Sequence, residues 1–257
     1  MNERPDTTPL MRPGERLDDL RRGNLRILQR PDGFCFGMDS VLLAAFAAER
    51  AGIGAAADLG TGSGVLPLLI CARVPGIHFD GVELQPDVAD MAARSMRINH
   101  MEDRIRIHSL DLRDAPRMLG HANYRLVVAN PPYGQPGGGM ESPDAARRVA
   151  RQEGEADLHA LCRAAGALLQ NGGRFDVVFP APRLLMLLDA MREARVEPKR
   201  IKLVHPRWGS APGQALVEGI KGAKPMLHFL PPLYVRDERG CETDALRRIY
   251  DEERGIP

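Results

Sequence analysis

The stretch Asp58-Leu59-Gly60-Thr61-Gly62-Ser63-Gly64 decides the fold. Ahead of it, Ala56-Ala57-Asp58-Leu59 ends a short buried strand, and behind it Val65 to Ala72 reads as an apolar helix. Glycines at this junction let the backbone turn tightly and approach a ligand beside a helix N-terminus, where unpaired N–H groups gather. The dinucleotide fingerprint Gly-x-Gly-x-x-Gly is met at Gly60 and Gly62 but missed at Val65. An acid directly before the glycines, with Gly64 closing the run, sets this string apart. The bland alternative is a turn that uses glycine for geometry alone.

Working outward, strand and helix patterns alternate. Leu25 to Gln29 reads as a strand, with Pro31-Asp32-Gly33 as its turn, and Asp39-Ser40 offers an N-cap for a helix from Val41 to Ala48. Strands are expected at Ile77 to Glu83, Ile105 to Ser109, Leu126 to Ala129 and Phe175 to Phe179. Pro86 opens a helix whose positions Val88, Met91, Ala92, Ser95 and Met96 recur at helical spacing. A helix over Asp157 to Leu169 stops at Asn171-Gly172-Gly173, and Leu184, Leu187, Leu188 and Met191 stripe another. Late strands follow at Ile201 to His205, Ala215 to Ile220 and Met226 to Leu230. This pattern predicts an α/β fold, a mostly parallel seven-stranded sheet with helices on both faces. Ligands bind such sheets at the carboxyl ends of the strands, so the residues just after each strand carry the functional reading.

Glu83-Leu84 closes the second core strand, where a carboxylate can accept the ribose hydroxyls of an adenosine moiety. Asp111-Leu112 follows the third, with Asp114 as a competing acid and helix N-capping as the alternative role for either. After the fourth stands Asn130-Pro131-Pro132-Tyr133. The prolines fix their own φ, and the Asn130 side-chain oxygen with the Pro131 carbonyl can take both hydrogens of an amino group. Tyr133 can lie against a flat ring. A conjugated amine is a poor nucleophile, so two acceptors that align it and favour a tetrahedral nitrogen supply what the reaction needs. A Pro-Pro loop that merely ends a strand is the structural alternative.

Together the Asp58–Gly64 string and Asn-Pro-Pro-Tyr resemble the S-adenosylmethionine-dependent methyltransferases of Rossmann-like fold. Phe36-Gly37-Met38-Asp39-Ser40-Val41-Leu42-Leu43-Ala44, Arg148-Val149-Ala150-Arg151-Gln152-Glu153 and Leu216-Val217-Glu218-Gly219-Ile220-Lys221-Gly222 resemble segments of the bacterial tRNA(Val) adenine-37 methyltransferase family. Gln152, where that family is expected to carry His, and the Gly137-Gly138-Gly139 insert depart from it. The resemblance implies S-adenosyl-L-methionine as cofactor, held by Asp39, Asp58, Gly60, Thr61, Gly62, Gly64, Glu83, Leu84, Asp111, Leu112 and Asn130. It implies Asn130, Pro131, Pro132 and Tyr133 as the catalytic loop and an exocyclic adenine amine in tRNA as substrate. Asn-Pro-Pro-Tyr also occurs in protein glutamine methyltransferases of release factors. Those enzymes are expected to carry a sizeable helical domain ahead of the glycine motif, whereas 57 residues precede Asp58 here, so RNA is the favoured substrate. A non-catalytic RNA-binding module of the same fold is the reading from a different class.

Composition is compatible with this. The 257 residues are 44% hydrophobic and 27% charged, with a net charge of +1. No apolar run approaches the roughly 18 residues that span a bilayer, and the polar N-terminus lacks a signal-peptide core, so the cytoplasm is the expected compartment. Cys35, Cys71, Cys162 and Cys241 are scattered without metal spacing, so no metal site is expected. Nothing in the sequence indicates an oligomer. Between Arg183 and Lys224 nine basic residues face four acidic ones, a stretch that suits nucleic-acid phosphates or a solvated surface equally. Arg147, Arg148, Arg151 and Lys221 are the candidate substrate contacts, with a solvated basic face as the alternative for the arginines. Trp208, the sole tryptophan, reads either as a base-stacking residue or as core. The expected organisation is a flexible tail over 1–21 and one methyltransferase domain over 22–257. Within it, a strand-helix cap spans 22–52 and a Rossmann-like core 53–257.

Overall fold

Two strands lead the described chain: β1 (Arg16–Asp19) and β2 (Arg26–Gln29) pair antiparallel, Leu17 opposite Leu28. The structure, a computed structural model, describes residues 10–20, 23–31, 36–131 and 157–254. Residues 10–20 of the tail expected through residue 21 are among those described, and β1 lies within them. Its charged sequence carries no strand periodicity, and tertiary contacts order it instead. Glu15 is buried in a two-pronged ion pair with Arg94, both bonds at 2.6 Å. The Leu28 N–H donates to Ser95 Oγ at 3.0 Å, and Asn99 brackets the backbone of Arg26.

The remaining elements are α1 (Met38–Ala48), β3 (Gly54–Leu59), α2 (Val65–Arg73), β4 (Ile77–Glu83), α3 (Pro86–Ile98), β5 (Ile105–Ser109), α4 (Ala115–Leu119) and β6 (Tyr124–Ala129). After a helix α5 over residues 157–168 come β7 (Leu169–Pro180), α6 (Leu184–Glu193), β8 (Val196–His205), β9 (Gln214–Lys221), β10 (His228–Phe229), β11 (Leu233–Tyr234) and α7 (Asp244–Arg254). The sheet order is β10-β8-β9-β7-β6-β3-β4-β5, with β11 also on β8. Seven long strands form it as expected, and two short ones extend it to nine. Those two are one edge segment interrupted by Pro231-Pro232, which cannot donate to the ladder.

Strands β3 to β7 run parallel, and β9 reverses between β7 and β8. Side chains alternate between the two faces: Ala56, Leu126 and Val128 pack with α1 and α2, while Ala57, Val127 and Ala129 pack with α5 and α6. Helix α1 shares its core with α2, so residues 38–48 belong to the same packed body as the sheet. Because β3 lies between β4 and β6, the chain leaves it in both lateral directions. A crevice opens at that switch point on the carboxyl edge. This edge holds the ends of β3, β4, β5, β6, β7 and β8, and the start of β9.

Candidate active site

The loop after β3 is shaped by three glycines in the left-handed region: Gly60 at φ 78°, Gly62 at 55° and Gly64 at 85°. Gly60 and Thr61 both donate their N–H to Val82 O at 2.9 Å, which folds the loop back on β4. At Gly60 and Gly62 an added Cβ would meet no atom within 4 Å, so the loop is bare on the side those carbons would fill. Gly64 is different. Its Cβ would come 2.6 Å from Met96 Cε, so glycine there lets α2 pack on α3. Asp58 sits fully buried beneath the loop and accepts a 2.7 Å hydrogen bond from Thr61 Oγ1. Its Oδ1 is buried with no hydrogen-bond partner among the described residues. Burial, with Glu83 adding repulsion against the Thr61 bond, pushes its carboxyl up to about 7.

Glu83 fixes the floor between β3 and β4. Its Oε2 accepts from the Gly62 N–H at 3.0 Å and its Oε1 from the Gln85 N–H at 2.9 Å. Each oxygen keeps a lone pair for a further donor. Leu84 is 63% exposed, a large apolar side chain on the rim. One strand over, the Leu110 N–H donates to Glu83 O at 2.9 Å and leads into Asp111. Arg113 grips both carboxylate oxygens of Asp111 and holds its pKa low. Asp114 stands at the N-cap of α4, with Oδ1 3.4 Å from Arg117 Nη2, whereas Asp111 follows directly on the strand. Leu112 is half-buried against the core that includes Val82.

At the end of β6 the Asn130 Nδ2 donates to Ser40 Oγ at 3.0 Å. Pro131 follows, and its carbonyl is a second acceptor beside the Asn130 side chain. Ser40 is a buried hydroxyl in the first turn of α1. The N-cap of α1 is Gly37 without a side-chain bond, which corrects the capping role expected of Asp39-Ser40. Asp39 instead accepts from Gln214 Nε2 at 3.1 Å, tying α1 to the start of β9, and burial raises its pKa. At its other end α1 is held by Arg174, which donates to Ala47 O at 2.6 Å. Glu49, one residue beyond, bonds Arg200 and Lys202. A helix fixed at both ends keeps its Ser40 hydroxyl in one place.

Asp39, Asp58, the three glycines, Glu83, Asp111 and Asn130 therefore meet on the carboxyl edge, on neighbouring strands or, for Asp39, on the helix bonded to them. Lys221 does not join them. It ends β9 on the opposite edge of the sheet and donates to Leu169 O at 2.7 Å. Pro132, Tyr133, Arg147, Arg148 and Arg151 lie outside the described residues. Ser40 and Gln214 were not among the expected site residues. A lone hydroxyl among apolar neighbours in Val41-Leu42-Leu43-Ala44 was the available signal for Ser40.

Comparison with known proteins separates the possibilities at this edge. Residues 36–194 match the family model described as methyltransferase small domain. The chain belongs to this family. The methyltransferase small domain match spans the glycine cradle, Glu83, Asp111 and Asn130. Among relatives, a tRNA1(Val) (adenine(37)-N6)-methyltransferase of Tolumonas auensis is 35% identical over 177 residues, 65% of this chain and 71% of that protein. The enzyme of the same name from Porphyromonas gingivalis is 34% identical over 153 residues, covering 58% and 59%. This chain thus spans 59% of the second relative's length. A crystal structure from Agrobacterium tumefaciens, titled a predicted O-methyltransferase, superposes with a TM-score of 0.69 at 23% identity. It covers 84% of this chain and 97% of the other. TYW2 of P. horikoshii, in complex with MeSAdo, gives 0.56 at 15%, covering 82% and 72%. These two likenesses concern the fold.

Proposed function

We propose that the protein is an S-adenosyl-L-methionine-dependent methyltransferase acting on the exocyclic amine of adenine in tRNA. The observation that carries the reading is the placement of Asn130 and Pro131 directly after β6, on the same carboxyl edge as the glycine cradle and Glu83, with Asn130 tied to Ser40 of α1. The cradle suits the cofactor: Gly60 and Gly62 leave room for a close approach, Glu83 has acceptors for ribose hydroxyls, and Asp58 Oδ1, without a hydrogen-bond partner among the described residues, complements an ammonium group. When bound, S-adenosylmethionine supplies a methyl group activated by its sulfonium. Asn130 Oδ1 and the Pro131 carbonyl accept the two amine hydrogens and hold the nitrogen in line. As charge develops on that nitrogen both hydrogen bonds strengthen, and the cationic nitrogen sheds its proton without a dedicated base. Tyr133 supplies the stacking surface for the ring.

The names borne by the Tolumonas and Porphyromonas relatives support adenine in tRNA over a protein glutamine. Among the described residues no helix is long and apolar enough to cross a membrane. A monomeric cytoplasmic enzyme is the accompanying reading. The test is incubation with methyl-labelled cofactor and either tRNA lacking the modification or a release factor, followed by nucleoside mass spectrometry. N6-methyladenosine in tRNA supports the reading. Label in the release factor alone overturns it.

A further inference from the structure

Beyond the end of β8, on the same carboxyl edge as Asn130, Trp208 projects from the turn 206–210 with 54% of its surface exposed. An exposed indole on a loose loop would mean little, but this loop is fastened. His205 Nδ1 and Ser210 O are 2.7 Å apart, and Ser210 Oγ donates to Arg207 O at 2.7 Å. The Trp208 N–H donates to Arg236 O at 2.8 Å. Behind the indole, Tyr234 packs at 4.7 Å between ring centroids, and His205 packs on Tyr234 at 4.8 Å. The three rings form a supported platform whose outermost ring faces solvent.

Two cations follow strand ends on this same edge, Arg183 after β7 and Arg207 after β8. The exposed Arg207 side chain has no hydrogen bond or ion pair to any described residue. Arg183, just past β7, lies over the Phe179 ring at 5.5 Å with no carboxylate partner among the described residues. On the far side of the platform, Asp237 spends Oδ1 on the N–H groups of Arg239 and Cys241, and Glu238 is exposed. Trp208 stands off β8, three strands across from β6. At ~4.8 Å per strand this is roughly 14 Å, about four stacked base steps at ~3.4 Å.

We infer that Trp208 is a stacking platform for an unpaired base about four nucleotides from the target adenine, with Arg183 and Arg207 taking the phosphates between. The inference rests on the RNA-methylating reading and names the surface that would hold the RNA. Aromatic stacking suits it because every base has a π-face, and single-stranded segments are the parts of RNA with bases free to stack.

The sole tryptophan is its own reporter. Titrating the protein with unmodified tRNA is expected to quench its emission, whereas a duplex RNA without unpaired bases does so weakly. Trp208→Ala should raise KM for tRNA on the order of tenfold, with a smaller effect on kcat and with cofactor affinity unchanged by calorimetry. Trp208→Phe should restore most of the loss, and thermal melting of both variants checks folding. Arg207→Gln should shallow the salt dependence of tRNA binding. If tRNA is methylated but emission stays constant and Trp208→Ala keeps the wild-type KM, the platform is wrong while the methyltransferase reading stands. If no RNA is bound or methylated, both fall.

Discussion

Asn130 Nδ2 and Ser40 Oγ are 3.0 Å apart although ninety positions separate them in sequence. The bond joins the end of a central strand to the first turn of a helix laid across the sheet. Asn130→Ala removes an amine acceptor and should lower kcat by about 100-fold while cofactor binding changes little. Ser40→Ala leaves the acceptor present but unsteered, and a loss of roughly tenfold is expected. Single-turnover methylation with labelled cofactor measures both. Equal rates for Ser40→Ala and wild type would show that the hydroxyl does not orient the amide.

The glycines of the cradle should separate folding from binding. Gly64→Ala combines φ 85° with a Cβ 2.6 Å from Met96 Cε, and a destabilisation of about 1–3 kcal/mol is expected in urea unfolding. Gly62→Ala carries a φ penalty of about 1–2 kcal/mol but meets nothing within 4 Å. It should fold, yet bind S-adenosylmethionine at least tenfold more weakly, because the new methyl enters the cradle. Calorimetry on the folded variant decides the point.

Much of this arrangement can be read without coordinates. The glycine string, Pro86 opening α3 and the apolar runs of β4, β5 and β6 each state one local preference, and the packed sheet agrees with all of them. Other features depend on partners far away in sequence. Arg16–Asp19 is a strand because β2 pairs with it and Arg94 holds Glu15, neither visible in a charged tetrapeptide. Lys221 sits within a basic stretch, and the reversed direction of β9 carries it to the edge opposite Asn130. Ser40 looked like a cap because Ser and Asp so often are, and only the fold shows Asn130 opposite it. Helix α7, amphipathic but mostly charged, went unread because its apolar stripe is only Leu246, Ile249 and Tyr250.

Stability should fall with rising pH between about 4 and 7. Burial lifts Asp58 and Asp176 from their ordinary 3.8 to about 7, so in this window the folded protein holds more protons than the unfolded chain. Stability attributable to these two groups is fully present below about 4 and lost as pH passes 7. Glu15 and Asp111, held low by Arg94 and Arg113, act oppositely at more acid pH. Asp58→Asn removes one of the two proton sites. Its stability relative to wild type should improve from pH 5 to pH 8 in urea titrations, and a constant difference would contradict the raised pKa.

The Arg94–Glu15 pair should be costly to break from one side. Arg94→Met leaves a buried carboxylate without its ion partner, held only by the Arg12 N–H, and a loss of about 3–5 kcal/mol is expected. Replacing Glu15 by Met as well should recover part of it. A double-mutant cycle by urea unfolding checks this, with no recovery as the contrary result.

The reversal of β9 has a consequence for how such an enzyme can diversify. The chain reaches the carboxyl edge along β8, turns at 206–213 and leaves along β9, several strands across from Gly62, Glu83 and Asp111 and joined to the donor side through the Gln214–Asp39 bond. Lengthening a surface connection costs little, about 0.6 kcal/mol for each doubling. New recognition surfaces can therefore be grafted at that turn while the donor half stays untouched, so target choice is free to drift under a constant chemistry.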